Sequence, residues 1–341
     1  MPLRTRLLAT LLVVLLAPAC SDDEGNPLDQ FSFSRSPGED AVLLYVSGAW
    51  AEDTGAPREL FAVNADGSAV ERLTTCTQRA EPCDFIEVTP SSNRDRVAAV
   101  RGAIGGDPEA SALYFIDLGR SVETIIALAR RVQGADWASN DDFILYSNGE
   151  TENLFTVNPN GEEDQPLTET PGFRERNARL APDVSGVVYE GLSQTPGKST
   201  VFYYLGTTDS AVPVTEGGPG SEVLPGSPYV VGSDSTPVFS PDGQSLAFRR
   251  LTGTGNGGLG TWDILITPSR DLEAEPRVVA GGGEVYRGAP DWGRDGRLVF
   301  VETNMTTEVS SLVVIQPDGS ERQVLHSEDA GYRMGSPRWL R

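Results

Sequence analysis

Histidine is nearly missing from this chain: His326 is the single one, beside three cysteines and three methionines. With Cys20 modified, as argued below, Cys76, Cys83 and His326 are too few to assemble a four-ligand zinc site from Cys and His alone. A Ser-His-Asp hydrolase would have to use His326 as its base, and G-x-S-x-G, which carries the nucleophile of α/β-hydrolases, does not occur. Basic residues are scarce as well. Against 49 Asp and Glu stand 27 Lys and Arg, a formal net charge of -22. Phosphate binding needs clustered cations that release counterions, so nucleic acid is excluded as an expected partner. The one extended apolar stretch, residues 7–16, is too short to span a bilayer. What the chain has in quantity is Gly, 37, and Pro, 24, within a sequence 38% hydrophobic. Both residues interrupt helices and serve turns, so the composition predicts an all-β protein, and one large repeat fold is admissible at 341 residues.

The first residues are read apart from the fold. Arg4 and Arg6 precede the apolar stretch, and Ala17-Pro18-Ala19 places small residues before Cys20, the pattern of a removable export signal. The segment resembles a bacterial lipoprotein signal, although Ala17 stands where such signals usually carry Leu. That resemblance implies cleavage after residue 19 and lipidation of Cys20, with plain cleavage as the alternative. Two acyl chains suffice for stable anchoring, at about 0.8 kcal/mol per buried methylene. Residues 20–40 then form an acidic tether, with Asp22, Asp23 and Glu24 early in it. An Asp directly after the lipidated cysteine marks inner-membrane retention in well-studied enterobacteria. Ser21 is there instead, so the expected location is the cell envelope, outer membrane before inner. Cys76 and Cys83 remain, and in an oxidising compartment they are expected to form a disulfide.

A repeat of about fifty residues organises residues 41–341. One half is clearest as TPVFSPDGQSLAF at 236–248 and returns as APDWGRDGRLVFV at 289–301 and GADWASNDDFILYS at 134–147. The other half is ELFAVNADGSAVERLT at 59–74, matched at 153–168 and 311–325. Each half is a predicted hairpin, its Asp-Gly or Asn-Gly pair supplying the positive φ of a tight turn. Two hairpins in alternation make a four-stranded antiparallel unit, and such units around an axis make a propeller. Anchors of the first strand are read at Val88, Trp137, Leu180, Phe239, Trp292 and Trp339, spaced by 49, 43, 59, 53 and 47 residues. Six anchors predict a six-bladed β-propeller. Residues 335–341 begin a repeat that residues 41–48 continue, so the two ends should share the first blade. The competing register uses residues 33–37 as the first strand of that blade.

These strings resemble the TolB-like, WD40-like (PD40-type) repeat of exported bacterial propellers, over essentially residues 41–341. The resemblance implies the fold more than the activity, because the same repeat serves as an interaction scaffold, as a substrate filter beside peptidases, and inside some polysaccharide lyases. It departs from the family's namesake, TolB, which has an α/β domain before its propeller and no lipid; that namesake's role would imply a peptidoglycan-associated lipoprotein as partner. The reading is a non-catalytic scaffold that binds an unidentified envelope protein or a small ligand. It touches the membrane through its lipid anchor only, needs no cofactor or metal, and is a monomeric propeller. The alternative is an envelope polysaccharide hydrolase or lyase with carboxylates at the channel mouth.

Candidate residues follow from topology. Turns between strands one and two, and between three and four, share one face; the Asp-Gly pairs all lie there, where Asp66, Asp242, Asp295 and Asp318 serve the bends. Longer connections, at 47–58, 75–84, 102–110, 216–235 and 251–260, lie on the second face, the expected interaction surface. Trp50, Tyr229 and Trp262 lie in or beside these loops as candidate binding-face aromatics.

Overall fold

The computed structural model describes residues 42–340, apart from 50–56, 75–83, 94–95, 103–110, 118–121, 128–131, 149–151, 171–172, 194–196, 206–209, 256–258 and 272–273. Cys20, Trp50, Cys76 and Cys83 lie outside the described residues, as do the predicted signal and tether. The described residues form strands and turns without a helix, in six antiparallel sheets. Named from the axis outward, blade 1 is Tyr332–Trp339, Val42–Ala49, Glu59–Asn64 and Glu71–Arg72. Blade 2 is Asp84–Pro90, Arg96–Gly102, Ala112–Asp117 and Val122–Ala127; blade 3 is Val132–Trp137, Ile144–Asn148, Asn153–Val157 and Gln165–Pro166. Blade 4 is Phe173–Leu180, Gly186–Ser193, Thr200–Leu205 and Ser210–Pro213; blade 5 is Asp234–Phe239, Ser245–Gly253, Thr261–Pro268 and Arg277–Ala280. In blade 6 the inner strand is split into Val285–Arg287 and Asp291–Trp292, both paired with Leu298–Asn304, followed by Ser310–Ile315 and Gln323–Glu328.

Closure follows the first of the two predicted registers. The C-terminal strand pairs with Val42–Ala49, Trp339 opposite Leu43 and Tyr332 opposite Ala49, so one blade is built from both ends of the propeller. The chain therefore cannot open the ring without breaking a ladder, and blade 1 receives its inner strand from the C-terminal end.

Each anchor packs on the blade before it. Trp137 sits with Ala98, Val100 and Leu113 of blade 2, Phe239 with Val188 and Val201 of blade 4, Trp292 with Ala247 and Ile264 of blade 5, and Trp339 with Val299 and Val301 of blade 6. Inter-blade packing is thus what the recurrent aromatics do. In blade 2 the equivalent position is Pro90 rather than Val88. Pro90 faces Val97 as Trp137 faces Ile144 and Phe239 faces Leu246, and the next residue closes the same turn in each case, Ser91 N–H to Arg96 at 2.9 Å and Ala138 N–H to Phe143 at 3.0 Å. Val88 lies two residues earlier on the same side of the strand and still packs against Leu44 and Val46 of blade 1.

Three residues before the anchor the inner strand bulges. Gly134, Asn177, Thr236 and Ser336 occupy this position with φ of 90°, 51°, 51° and 46°, next to register shifts in the ladder. Bulges bend a strand and raise its twist, which suits strands converging on an axis. At Gly134 the approach to the next blade is close as well, since a Cβ would stand 3.2 Å from the Asn177 Cα.

Candidate functional site

The axis is filled where the inner strands end. Arg179 Nη2 of blade 4 donates to Glu87 Oε1 of blade 2 at 2.6 Å, and Arg338 of blade 1 donates to the same oxygen. Arg179 Nη1 also reaches the Ala135 carbonyl of blade 3 at 2.9 Å. All three side chains are buried. Burial pushes the Glu87 carboxyl above its usual range and the nearby Asp136 adds to that, while Arg179 opposes it. Asp136 and Asp291, each directly before an anchor, accept the backbone N–H of the next blade's anchor, Leu180 and Trp339, both at 2.9 Å. Axis carboxylates therefore tie neighbouring blades together.

The predicted turn roles of the outer carboxylates hold. Asp66 accepts Ser68 N–H at 2.8 Å, Asp318 accepts Ser320 N–H at 2.8 Å, and Asp242 accepts Gln244 N–H at 3.0 Å with Ser240 Oγ at 2.6 Å. These serine donors hold Asp66, Asp242 and Asp318 below the usual carboxylate range. Asp141 reaches across instead, taking the Ser92 and Asn93 N–H groups of blade 2 at 2.7 and 3.2 Å. Among the described residues no three His, Cys, Asp or Glu side chains converge as a metal cage. A cleft of about 810 Å3 opens on this turn face between blades 4 and 5, floored by Tyr203, Phe239 and Pro268 and edged by Asp183, Asp242 and Arg270.

The second face carries a built arm. Of the five long connections only 216–235 is described throughout. Its base is pinched, with Gly218 N–H on the Gly232 carbonyl at 2.7 Å, so close that a Cβ on Gly232 would meet the Gly218 oxygen at 2.3 Å. Beyond the pinch a small hairpin forms, Val223 bridging Val230, Val231 N–H bonding Glu222 and Leu224 N–H bonding Tyr229. Leu224 and Val231 are buried against Leu251 and Trp262. At the base, Asp234 is fully buried and takes Arg250 in a two-point ion pair at 2.6 and 2.8 Å.

The arm brings together two of the predicted aromatics. Tyr229 meets Trp262 edge-on with centroids 5.3 Å apart, and Trp262, 2% exposed, donates its indole N–H to the Leu259 carbonyl. Beneath them lie charges that sequence reading did not single out. Glu190 of blade 4 accepts Ser235 Oγ at 2.7 Å, Asn177 Nδ2 at 2.8 Å and Tyr229 OH at 3.2 Å, all on Oε2. Arg249 of blade 5 stacks 4.2 Å from the Trp262 centroid and donates to Tyr286 OH at 3.0 Å and to the Arg287 carbonyl at 3.3 Å. Burial, then the Glu190 charge, pushes the Tyr229 phenol above its usual range.

The architecture is that of a six-bladed β-propeller closed by its C-terminal strand. In fold it is similar to TolB from Acinetobacter baumannii, at a TM-score of 0.67 and 15% identity, with 89% of this chain and 68% of that one covered. A putative TolB from Agrobacterium tumefaciens is similar at 0.57 and 11%, covering 88% and 98% of the two chains. Oligogalacturonate lyase in complex with manganese is similar at 0.51 and 13%, covering 72% and 66%. No protein-family model and no curated protein matches the sequence.

Proposed function

We propose that this propeller is a non-catalytic binding module of the bacterial cell envelope, held there by lipid on Cys20, and that it engages its partner through the second face. The observation that carries the reading is the use of the axis carboxylates. Glu87 is occupied by two guanidiniums, and Asp136 and Asp291 hold backbone N–H groups, so each is spent on joining blades. The arm at 216–235 supplies what a binding surface needs, an ordered projection with a half-buried aromatic at its tip. The TolB-like fold supports a scaffold role by analogy alone.

The test is affinity capture from detergent-solubilised envelopes, with the intact propeller compared with a variant in which residues 222–231 are replaced by a short Gly-Ser link. Capture by the first and not by the second is the expected result; equal capture would move the site elsewhere. Among the described residues, Glu87 beside Asp136 is a carboxylate pair that favours the second reading, a hydrolase or lyase acting on envelope polysaccharide. Cleavage of envelope glycan by the intact protein and its loss in Glu87→Gln would establish the enzyme instead.

A further inference from the structure

Superposing the blades by their anchors gives the Glu190 and Arg249 positions a meaning. Each lies three residues after the residue paired with the anchor: Leu180 pairs with Val187, and Phe239 with Leu246. The equivalents are Val46, Val100, Ser147 and Val301, all buried in the interfaces between blades. Only blades 4 and 5 place a charge there, and the two charges are of opposite sign.

They are also not paired with each other. Among the described residues Glu190 takes no hydrogen bond from a guanidinium; its three donors are neutral and all fall on Oε2. Its Oε1 is shielded from solvent with no hydrogen bond, although the residue is 0% exposed. Arg249 Nε is likewise shielded and without a hydrogen bond, while Nη1 alone donates to both the Tyr286 phenol and the Arg287 carbonyl. Arg176 stands directly across the strand pair from Glu190, adding a second cation to this mouth. A buried carboxylate and a half-buried guanidinium that feel each other's charge without a hydrogen bond between them forgo stability that a directly bonded pair would recover. Buried polar atoms without partners mark a place for a water, an ion or a ligand.

We propose that the second-face mouth between blades 4, 5 and 6 binds a small carboxylate bearing a hydroxyl or ammonium donor beside it. The carboxylate lies toward Arg249 and Arg176, and the donor satisfies Glu190 Oε1. Arg249 and Arg176 thus set two cations beside Glu190 within a protein of formal charge -22, and they and the open Glu190 oxygen call for the same ligand. Tyr229 is the gate: its ring edge rests on Trp262 and its hydroxyl holds Glu190 by the longest of the three bonds, so rotation of this one side chain opens the mouth. The proposal rests on the second face being the binding face and adds the chemistry of what enters it.

The test is equilibrium titration of the full chain, by calorimetry and by tryptophan fluorescence, with glucuronate as the hydroxy-carboxylate and glycine as the ammonium-carboxylate. Acetate lacks the neighbouring donor and glucose lacks the carboxylate. One saturable site for glucuronate or glycine is expected, acetate and glucose binding at least about tenfold more weakly, and the better of the first two identifies the donor as hydroxyl or ammonium. Glu190→Gln should weaken that ligand by about tenfold or more and Arg249→Lys by a similar factor, with the unfolding midpoint retained. Acetate binding as well as the others would reduce the site to an adventitious ion only. Binding unchanged in Glu190→Gln, or no binding by either probe up to about 10 mM, would overturn the proposal. Partner capture that still depends on residues 222–231 while both probes fail would leave the scaffold reading standing and remove only this ligand.

Discussion

Two ionic clusters share the channel of this propeller, and they treat their charges in opposite ways. At the axis Glu87 is bound by Arg179 and Arg338 from two other blades, so a carboxylate from blade 2 locks blades 4 and 1. At the second-face mouth Glu190 and Arg249 lie on adjacent blades, yet each is held by neutral groups. Burying an ion pair roughly breaks even, whereas burying charges apart is a cost that folding alone does not repay. The first cluster is explained by ring closure. The second needs something outside the fold.

The largest effect should come from breaking the axis. Glu87→Ala leaves two buried guanidiniums facing each other without their anion, and a loss of about 3–5 kcal/mol is expected in urea unfolding. A loss below about 1 kcal/mol would show that the triad fills the channel without holding it. The contrast at the mouth is one of sign. Glu190→Gln removes a carboxylate that no cation bonds while keeping an oxygen for its three neutral donors, so stability should stay within about 1 kcal/mol of the parent or rise. A loss as large as that at Glu87 would make the two clusters equivalent and erase the distinction drawn between them. Between these lies Tyr229→Phe, which keeps the ring against Trp262 and deletes the hydroxyl; about 0.5–1.5 kcal/mol is expected, with tryptophan emission little changed.

The sequence made the repeat legible because each hairpin is punctuated locally: Asp-Gly at 242–243, 295–296 and 318–319 marks turns whose glycines have φ of 70°, 84° and 88°. Closure was legible too, since residues 335–341 start a repeat that needs the rest of a blade. Blade 2 misled by two residues because its anchor is a proline, and Val88 offers a bulkier apolar side chain on the same side of the strand. The axis cluster left a trace that becomes visible only after alignment: the position before the anchor reads Thr89, Asp136, Arg179, Val238, Asp291 and Arg338, running neutral, acidic, basic twice around the ring where an ordinary core would carry no charge. Tyr229 and Trp262 were reachable from loop length. Glu190 and Arg249 were not, because in isolation each is one more charge in a chain 22% charged, and only the ladder shows that valine or serine occupies their place in the other blades.

Acid sharpens the same comparison by the smallest margin. Serine donors lower the pKa values of Asp66, Asp183, Asp242 and Asp318, so what these turns contribute is present above the ordinary carboxylate pKa near 3.8 and is lost as pH falls through their lower folded values. Glu87 works in the opposite direction. Its folded pKa is raised from 4.5 by burial, so its contribution is greatest when the carboxyl is protonated and declines as pH rises through the raised value. Unfolding midpoints measured between about pH 2 and 7 should therefore fall on the acid side from the turns, with Glu87 offsetting part of that fall. Asp242→Asn should leave the neutral midpoint nearly unchanged and flatten the slope below about pH 4, while Glu87→Gln should steepen it. If Asp242→Asn left the acid slope as it is, the exposed turns would be contributing shape without stability, and the acid response would belong to the channel.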